Sequence, residues 1–210
     1  MNPIPIIELV AVVVSALYGV LLAVRKEMDV AGVITVALIV AFGGGTLRDL
    51  LLGRQPLFWI ENAHYSLIVF GIALVASIAH PWVARVERWL LVPDALGMGL
   101  FTVVGAGYAI DLDTGLFLAA LFGVITGTFG GVLGDVVCNE VPALFRPAPL
   151  TATCSFAGAW VYLLLVEAGL PPGIPSASGI AVVFVFRLLA VRFRWSLPPT
   201  RPRSQPAATR

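Results

Sequence analysis

Charged residues divide the chain into seven long uncharged runs, which cover 9–24, 30–47, 62–84, 95–110, 114–134, 147–166 and 168–186. Each run is close to the roughly 20 residues with which a helix crosses the hydrocarbon core of a bilayer. None shows the alternating polarity of the roughly ten-residue strands in a membrane β-barrel. The pattern therefore predicts an all-α integral membrane protein with seven transmembrane helices.

The composition agrees with this prediction. Of the 210 residues, 59% are hydrophobic and 12% are charged, whereas a soluble domain carries about 25% charged residues. Such a chain has too little polar surface to cover a water-soluble globule. The two cysteines, Cys138 and Cys154, suggest neither a disulfide nor a metal site, and we expect them to be small apolar filler.

The distribution of Lys and Arg predicts the orientation. If the N-terminus lies outside, only Arg48 and Arg54 of the 13 basic residues fall on the outer side, which satisfies the positive-inside rule. No Lys or Arg precedes the first run, so we interpret it as a true span and not as a signal peptide. Residues 195–210 are predicted to form a disordered basic cytoplasmic tail that contacts anionic lipid.

A sequence repeat is found when the chain is shifted by 86 residues. The segment "FGGGTLRDLLLGRQP" (42–56) aligns with "TFGGVLGDVVCNEVP" (128–142), and Glu8 aligns with Asp94. Each copy contains three predicted spans, an odd number, so the second copy enters the membrane from the opposite face. We therefore predict an inverted repeat of the kind found in transport proteins, with units 1–92, 93–170, a seventh helix at 171–194 and the tail 195–210.

Glycines and charges meet in the second and fifth spans. A glycine costs a helix about 1 kcal/mol relative to alanine, and an embedded charge costs roughly 3 kcal/mol. We expect the second span to continue through Arg48 to Leu52, because the leucines at 50–52 would otherwise lie in water. The candidate pathway residues are Gly43, Gly44, Gly45, Arg48, Asp49, Gly127, Gly130, Gly131 and Asp135.

One interpretation is that the two glycine-rich helices are bent or broken and line a water-filled path, where freed carbonyl groups and carboxylates bind cations. Two alternatives stay open. The small residues could simply allow close helix packing, and Arg48 and Asp49 could pair with each other for structural reasons. A contact between Arg48 and Asp135 is a further possibility.

Motifs of soluble enzymes are missing from the sequence. We find no phosphate-binding loop, no His/Cys metal spacing and no nucleophile motif. We therefore expect no enzymatic activity, no cofactor, no bound metal and no nucleic-acid partner.

The segment "VRKEMDVAGVITVALIVAFGGGTLRDLLLGRQPLFWI" (24–60) closely resembles the first repeat of the bacterial trimeric intracellular cation (TRIC) channel family, also catalogued as glycine-transporter-domain proteins. "DALGMGLFTVVGAGYA" (94–109) and "GTFGGVLGDVVCNEVP" (127–142) resemble its second repeat. The resemblance implies seven helices, two inverted three-helix repeats and a homotrimer in the bacterial inner membrane. It also implies that the bends lie at the glycines 43–45, 130 and 131.

The activity implied by the resemblance is passive conduction of monovalent cations, K⁺ or Na⁺, through one pore in each subunit. Potassium is the expected physiological ion. Animal members carry basic residues in the fourth helix, but 95–110 has none, so voltage sensing by this helix is not implied. The alternative function is a secondary transporter of a small amino acid such as glycine, in which Arg48 would bind the carboxylate.

Overall fold

A computed structural model describes residues 3–78, 90–145 and 149–197 of the chain. These residues form eight α helices, a short 3₁₀ helix and no strand, which confirms the all-α prediction. In chain order they are α1 (Ile4–Arg25), α2 (Val30–Leu52), α3 (Phe58–Glu61), α4 (Ala63–Ile78), α5 (Leu91–Ile110), α6 (Leu116–Val137), the 3₁₀ helix (Ala143–Phe145), α7 (Ala152–Glu167) and α8 (Gly173–Arg192).

Five helices are long and apolar enough to cross a membrane, namely α1, α2, α5, α6 and α8. Helices α4 and α7 are also apolar but have 16 residues each, a length of about 24 Å. The end of the third predicted span (79–84) and the predicted tail from 198 onwards lie outside the described residues. So do six of the basic residues that indicate the orientation: Arg85, Arg88, Arg146, Arg201, Arg203 and Arg210.

Helix α2 is longer than its uncharged run, as predicted. It begins at an N-cap, where the carboxylate Oδ1 of Asp29 accepts a hydrogen bond of 2.8 Å from the backbone N–H of Gly32. It ends at Gly53, whose φ of 66° is the left-handed conformation that favours glycine. Arg48 and Asp49 therefore lie within the helix, close to its C-terminal end.

The helices form two similar groups. Helices α1, α2 and α4 pack together, and α5, α6 and α7 pack together in the same pairwise arrangement. The two groups meet through α2 against α6 and through α1 against α5, while α8 covers α5 and α7. Helices α2 and α6 run antiparallel and cross at the centre of the bundle.

Two glycines bring the backbones of α2 and α6 into contact at this crossing. A Cβ atom at Gly44 would lie 2.2 Å from the carbonyl oxygen of Thr126, and one at Gly130 would lie 2.4 Å from that of Val40. Since such distances are shorter than any real carbon–oxygen contact, only glycine fits. Gly130 lies 86 residues after Gly44, and Thr126 lies 86 residues after Val40. The two contacts are therefore equivalent under the sequence repeat.

The same offset recurs inside each group. A Cβ atom at Gly19 would lie 3.1 Å from the carbonyl oxygen of Val36, and one at Gly105 would lie 2.6 Å from that of Phe122. Gly105 lies 86 residues after Gly19, and Phe122 lies 86 residues after Val36. The first and second helices of each group are therefore packed in the same way.

The structure corrects the expectation of broken helices. Both α2 and α6 are α-helical throughout the glycine segments, so their carbonyl groups remain in the helical hydrogen-bond pattern. The physical reason is that Gly44 and Gly130 remove a Cβ atom from a helix crossing, which does not require the helix to open.

We predict that Gly44→Ala and Gly130→Ala each destabilise the protein by about 2 kcal/mol, because overpacking against rigid backbone cannot relax. Gly71→Ala is the matched control, since a Cβ atom at Gly71 on α4 meets no atom within 4 Å. Thermal unfolding of the detergent-solubilised protein measures the effect. Equal melting temperatures for all three variants would contradict the assigned crossing.

Candidate ion pathway

A small cavity lies beside the helix crossing. It has a volume of about 60 Å³, which is room for more than one water molecule. Helix α1 contributes Ser15 and Tyr18, and α2 contributes Val40. The wall from α6 contains four of the predicted pathway residues: Gly127, Gly130, Gly131 and Asp135.

A larger cavity of about 240 Å³ adjoins the small one and extends to the loops at the end of the bundle. The two share the side chains of Tyr18, Asp94 and Asp135. The larger cavity is more polar at its mouth, where Lys26 and Glu140 form an ion pair between the two helix groups. Together the cavities extend from beside the helix crossing towards one end of the bundle. We call this part of the bundle the Asp135 half.

Gly131 is the glycine that faces open space in this pathway. A Cβ atom there would meet only the ring of Tyr18, at 3.9 Å. Gly130, one residue earlier, lies against the backbone of α2. Adjacent glycines in α6 therefore have different roles, one in helix packing and the other in the width of the cavity.

The glycines of α2 do not line the cavities. Gly43 lies against Leu133 and borders an apolar groove on the outside of the bundle, Gly44 lies at the helix crossing, and Gly45 lies under the ring of Phe58. The structure thus brings the four candidate residues of α6 together in the cavity wall. Gly43 and Gly44 lie next to the backbone of Gly130 but, like Gly45, do not line these two cavities.

Arg48 and Asp49 belong to a buried network of charges at the opposite end of the bundle, which we call the Arg48 half. Arg48 Nε donates to Asp49 Oδ1 at 2.8 Å, and Arg48 Nη1 donates to Glu8 Oε1 at 3.2 Å. Arg54 Nη1 also donates to Asp49 Oδ1, at 3.0 Å. The predicted pairing of Arg48 with Asp49 is therefore present, and it extends to two further residues.

Aromatic rings enclose the guanidinium group of Arg48. Its central carbon lies 4.4 Å from the ring centroid of Tyr108 and 5.2 Å from that of Phe58, which are distances of cation–π interactions. Arg48 Nη2 is buried and has no hydrogen-bond partner among the described residues. The network therefore lies inside the protein, with one of its donors unpaired among the described residues.

The Asp135 half also contains two carboxylates and an arginine, but they are arranged differently. Asp135 Oδ2 accepts a hydrogen bond of 3.1 Å from the backbone N–H of Ala143, much as Asp49 Oδ2 accepts one of 2.8 Å from that of Phe58. The cation here is Arg187 of α8, which donates from Nη2 to Asp94 Oδ2 at 3.3 Å.

Sequence reasoning missed Glu8, Asp94 and Arg187 as members of these networks. The alignment of Glu8 with Asp94 was the available signal, because it placed an acid at the same position of both repeats. Arg187 lies outside the repeat, and no sequence feature connected it with Asp94.

The surroundings of Cys138 agree with a structural role. It follows the last residue of α6, and burial raises the pKa of its thiol above the ordinary value. A raised pKa keeps the thiol protonated and unreactive.

Comparison with known proteins identifies the family. The family described as "Glycine transporter" matches the chain twice, over residues 5–81 and 91–167, and the second match lies 86 residues after the first. The inner membrane protein YadS of Escherichia coli K12 is 31% identical over 193 residues, which are 91% of this chain and 93% of YadS. A membrane protein of Deinococcus radiodurans is 33% identical, over 93% of this chain and 90% of its own.

Solved structures connect these sequences with a channel fold. The TRIC trimeric intracellular cation channel orthologue of Rhodobacter sphaeroides superposes with a TM-score of 0.86 and 33% identity, over 93% of this chain and all of that one. The chain belongs to the bacterial TRIC family. A second TRIC cation channel structure superposes with a TM-score of 0.85 and 29% identity, over 96% of this chain and 98% of that one.

Membership of the TRIC family confirms the resemblance on which the sequence analysis relied. It also confirms a membrane protein with several apolar spans.

For this TRIC family member we predict that Asp49→Asn lowers the free energy of unfolding by about 3 kcal/mol, because it removes one of the two charge partners of the buried Arg48 and the partner of Arg54. Asp135→Asn is the matched control at the equivalent position. It should have a smaller effect, since Asp135 borders cavities that water can enter. Melting temperatures in detergent make the comparison, and equal losses would contradict the different burial of the two networks.

Proposed function

We propose that the protein is a channel for monovalent cations, with potassium as the favoured ion. The observation that carries this proposal is the pair of cavities lined by Asp94 and Asp135 in a TRIC fold. Carboxylates next to a water-filled space concentrate cations electrostatically. An ionisable side chain inside a membrane protein generally marks such a pathway.

The proposed path begins at the mouth near Lys26 and Glu140 and passes Asp94 and Asp135. It continues along Gly131 to the helix crossing. Beyond the crossing it reaches the network of Glu8, Arg48 and Asp49. Each half of the path thus contains two carboxylates, although only those in the Asp135 half border the cavities.

We further infer that the chain consists of two inverted three-helix repeats followed by a seventh spanning helix. The reciprocal contacts of Gly44 with Thr126 and of Gly130 with Val40 support this arrangement, because a twofold axis generates pairs of equivalent contacts. The antiparallel crossing of α2 and α6 requires that axis to lie across the bundle. In this arrangement α4 and α7 are the third spans of their repeats.

The proposed location is the bacterial inner membrane, with the N-terminus outside and the C-terminus in the cytoplasm. The excess of Lys and Arg on one side of the predicted spans supports this orientation, and YadS, a relative, is named an inner membrane protein. The Asp135 half then faces the cytoplasm. Relatives whose structures are called trimeric support a homotrimer with one pore in each subunit.

The alternative function is transport of a small amino acid, as the family description "Glycine transporter" suggests. In that case Arg48 would bind the substrate carboxylate. Arg48 is already paired with Glu8 and Asp49 and is completely buried, so the carboxylate would have to displace one of them. The structure therefore favours the channel.

Potassium flux from proteoliposomes tests the function. Vesicles containing K⁺ are diluted into a K⁺-free buffer with a protonophore, so that K⁺ efflux drives a measurable uptake of protons. We expect rapid efflux that does not change when glycine is added. Saturable uptake of labelled glycine without K⁺ efflux would establish the transporter instead.

Gly131→Leu tests the path itself. The Cβ atom of the leucine would meet only the ring of Tyr18, and its side chain would narrow the small cavity. We therefore expect a folded protein with at least about tenfold lower K⁺ flux. Gly71→Leu is the matched control on the open face of α4 and should conduct like the unmodified protein. Normal flux through a folded Gly131→Leu variant would remove this cavity from the pathway.

A further inference from the structure

The two repeats differ at one position in a way that affects the pathway. Arg48 in the first repeat corresponds to Gly134 in the second, although the neighbouring acids correspond as Asp49 with Asp135 and Glu8 with Asp94. The surroundings also correspond. Arg48 lies against Tyr108, and a Cβ atom at Gly134 would lie 2.6 Å from Val40 and 3.1 Å from Leu22. Leu22 is the residue 86 positions before Tyr108.

The two acids are more deeply buried in the half that has the arginine than in the half that has the glycine. In the Arg48 half, Glu8 is 2% exposed and Arg48 and Asp49 are completely buried. In the Asp135 half, Asp94 has 24% of its side chain exposed and lines both cavities together with Asp135. Leu22, which lies next to the position of the missing side chain, lines the larger cavity.

The guanidinium group of Arg48 occupies the position in which a permeating cation would be stabilised. It lies between the carboxylates of Glu8 and Asp49, at 3.2 Å and 2.8 Å, and against two aromatic rings. Its Nη2 has no partner in the described part of the chain, so the site does not satisfy the group completely. A donor left unsatisfied in a buried site makes departure of the group less costly.

We propose that Arg48 is a tethered blocking cation, which closes the Arg48 half of the pathway by occupying a cation site between Glu8 and Asp49. This inference rests on the proposed channel function and adds the residue that controls it. The conformation described here is then open on the Asp135 side and closed on the Arg48 side. Conduction requires the guanidinium group to leave the two carboxylates.

Arg48→Gly, which reproduces the residue of the second repeat, tests the proposal in the K⁺ efflux assay. We expect at least about a tenfold increase in flux over the unmodified protein, because a conducting state that is normally a minor population becomes the main one. Arg48→Lys is the matched control. It retains a tethered cation and should conduct no faster than the unmodified protein.

Added guanidinium ion gives a readout that a structural role would not produce. Millimolar guanidinium chloride on both sides of the membrane should block the flux of Arg48→Gly, because the free ion binds where the side chain was. The unmodified protein should not respond. Tetramethylammonium, a cation without N–H donors, should block much less at the same concentration.

If Arg48→Gly does not fold, a double variant with balanced charges tests the same proposal. In Glu8→Gln/Arg48→Gly, Asp49 keeps Arg54 as its partner, and the network again has no net charge. This variant should also conduct faster than the unmodified protein. Its block by guanidinium should be weaker, since one of the two carboxylates is gone.

The outcomes separate the two proposals. Increased flux that guanidinium blocks supports the tethered cation. Flux that stays unchanged or falls in both folded variants, or that guanidinium restores, overturns it and leaves Arg48 with a structural role in a channel that still conducts. Glycine uptake without K⁺ flux in every variant, the unmodified protein included, overturns the channel function as well.

Discussion

The contact between the backbones of α2 and α6 is the constraint on which the rest of the structure depends. At Gly44 and Gly130 each helix has a hydrogen atom where any other residue would place a carbon atom against a carbonyl oxygen. The crossing fixes both the separation of the two helix groups and their register. Arg48, Asp49 and Asp135 lie in α2 and α6 about one turn or more from it, so it also determines where these members of the two networks lie.

The positions of the charges follow from this geometry. A charge inside a membrane protein is tolerated when it has a partner or contacts water. The Arg48 half uses ion pairs, and the Asp135 half combines the Asp94–Arg187 ion pair with cavities. Glu8, Arg48 and Asp49 are buried and paired with one another and with Arg54, whereas Asp94 and Asp135 border cavities. The first network contains Arg48 where the second repeat has Gly134, and the second network takes its cation, Arg187, from α8 instead.

The sequence predicted the helices well because their determinants are local. Uncharged runs located the helices, five of which are long enough to cross a membrane, and Asp29 and Gly53 are residues that commonly begin and end a helix. The repeat was also visible in the sequence. Gly44 and Gly130 align at an offset of 86 residues, and in the structure they make equivalent contacts at the helix crossing. The tail and the units of the repeat remain predictions.

The role of each glycine could not be predicted in the same way. Gly130 contacts backbone and Gly131 faces a cavity, yet they are identical neighbours in the sequence, and only the position of the opposite helix distinguishes them. The expected helix breaks were wrong for the same reason. The partners of the charges were hidden because they are distant in sequence: Glu8 lies 40 residues from Arg48, and Asp94 lies 93 residues from Arg187.

The most direct test of the central claim is the reversal potential of the purified protein in a planar bilayer under a tenfold gradient of KCl. A cation channel predicts currents that reverse near the potassium equilibrium potential, about 59 mV from zero. Currents that reverse at zero or at the chloride potential, or a bilayer that stays silent at every voltage, would contradict the account.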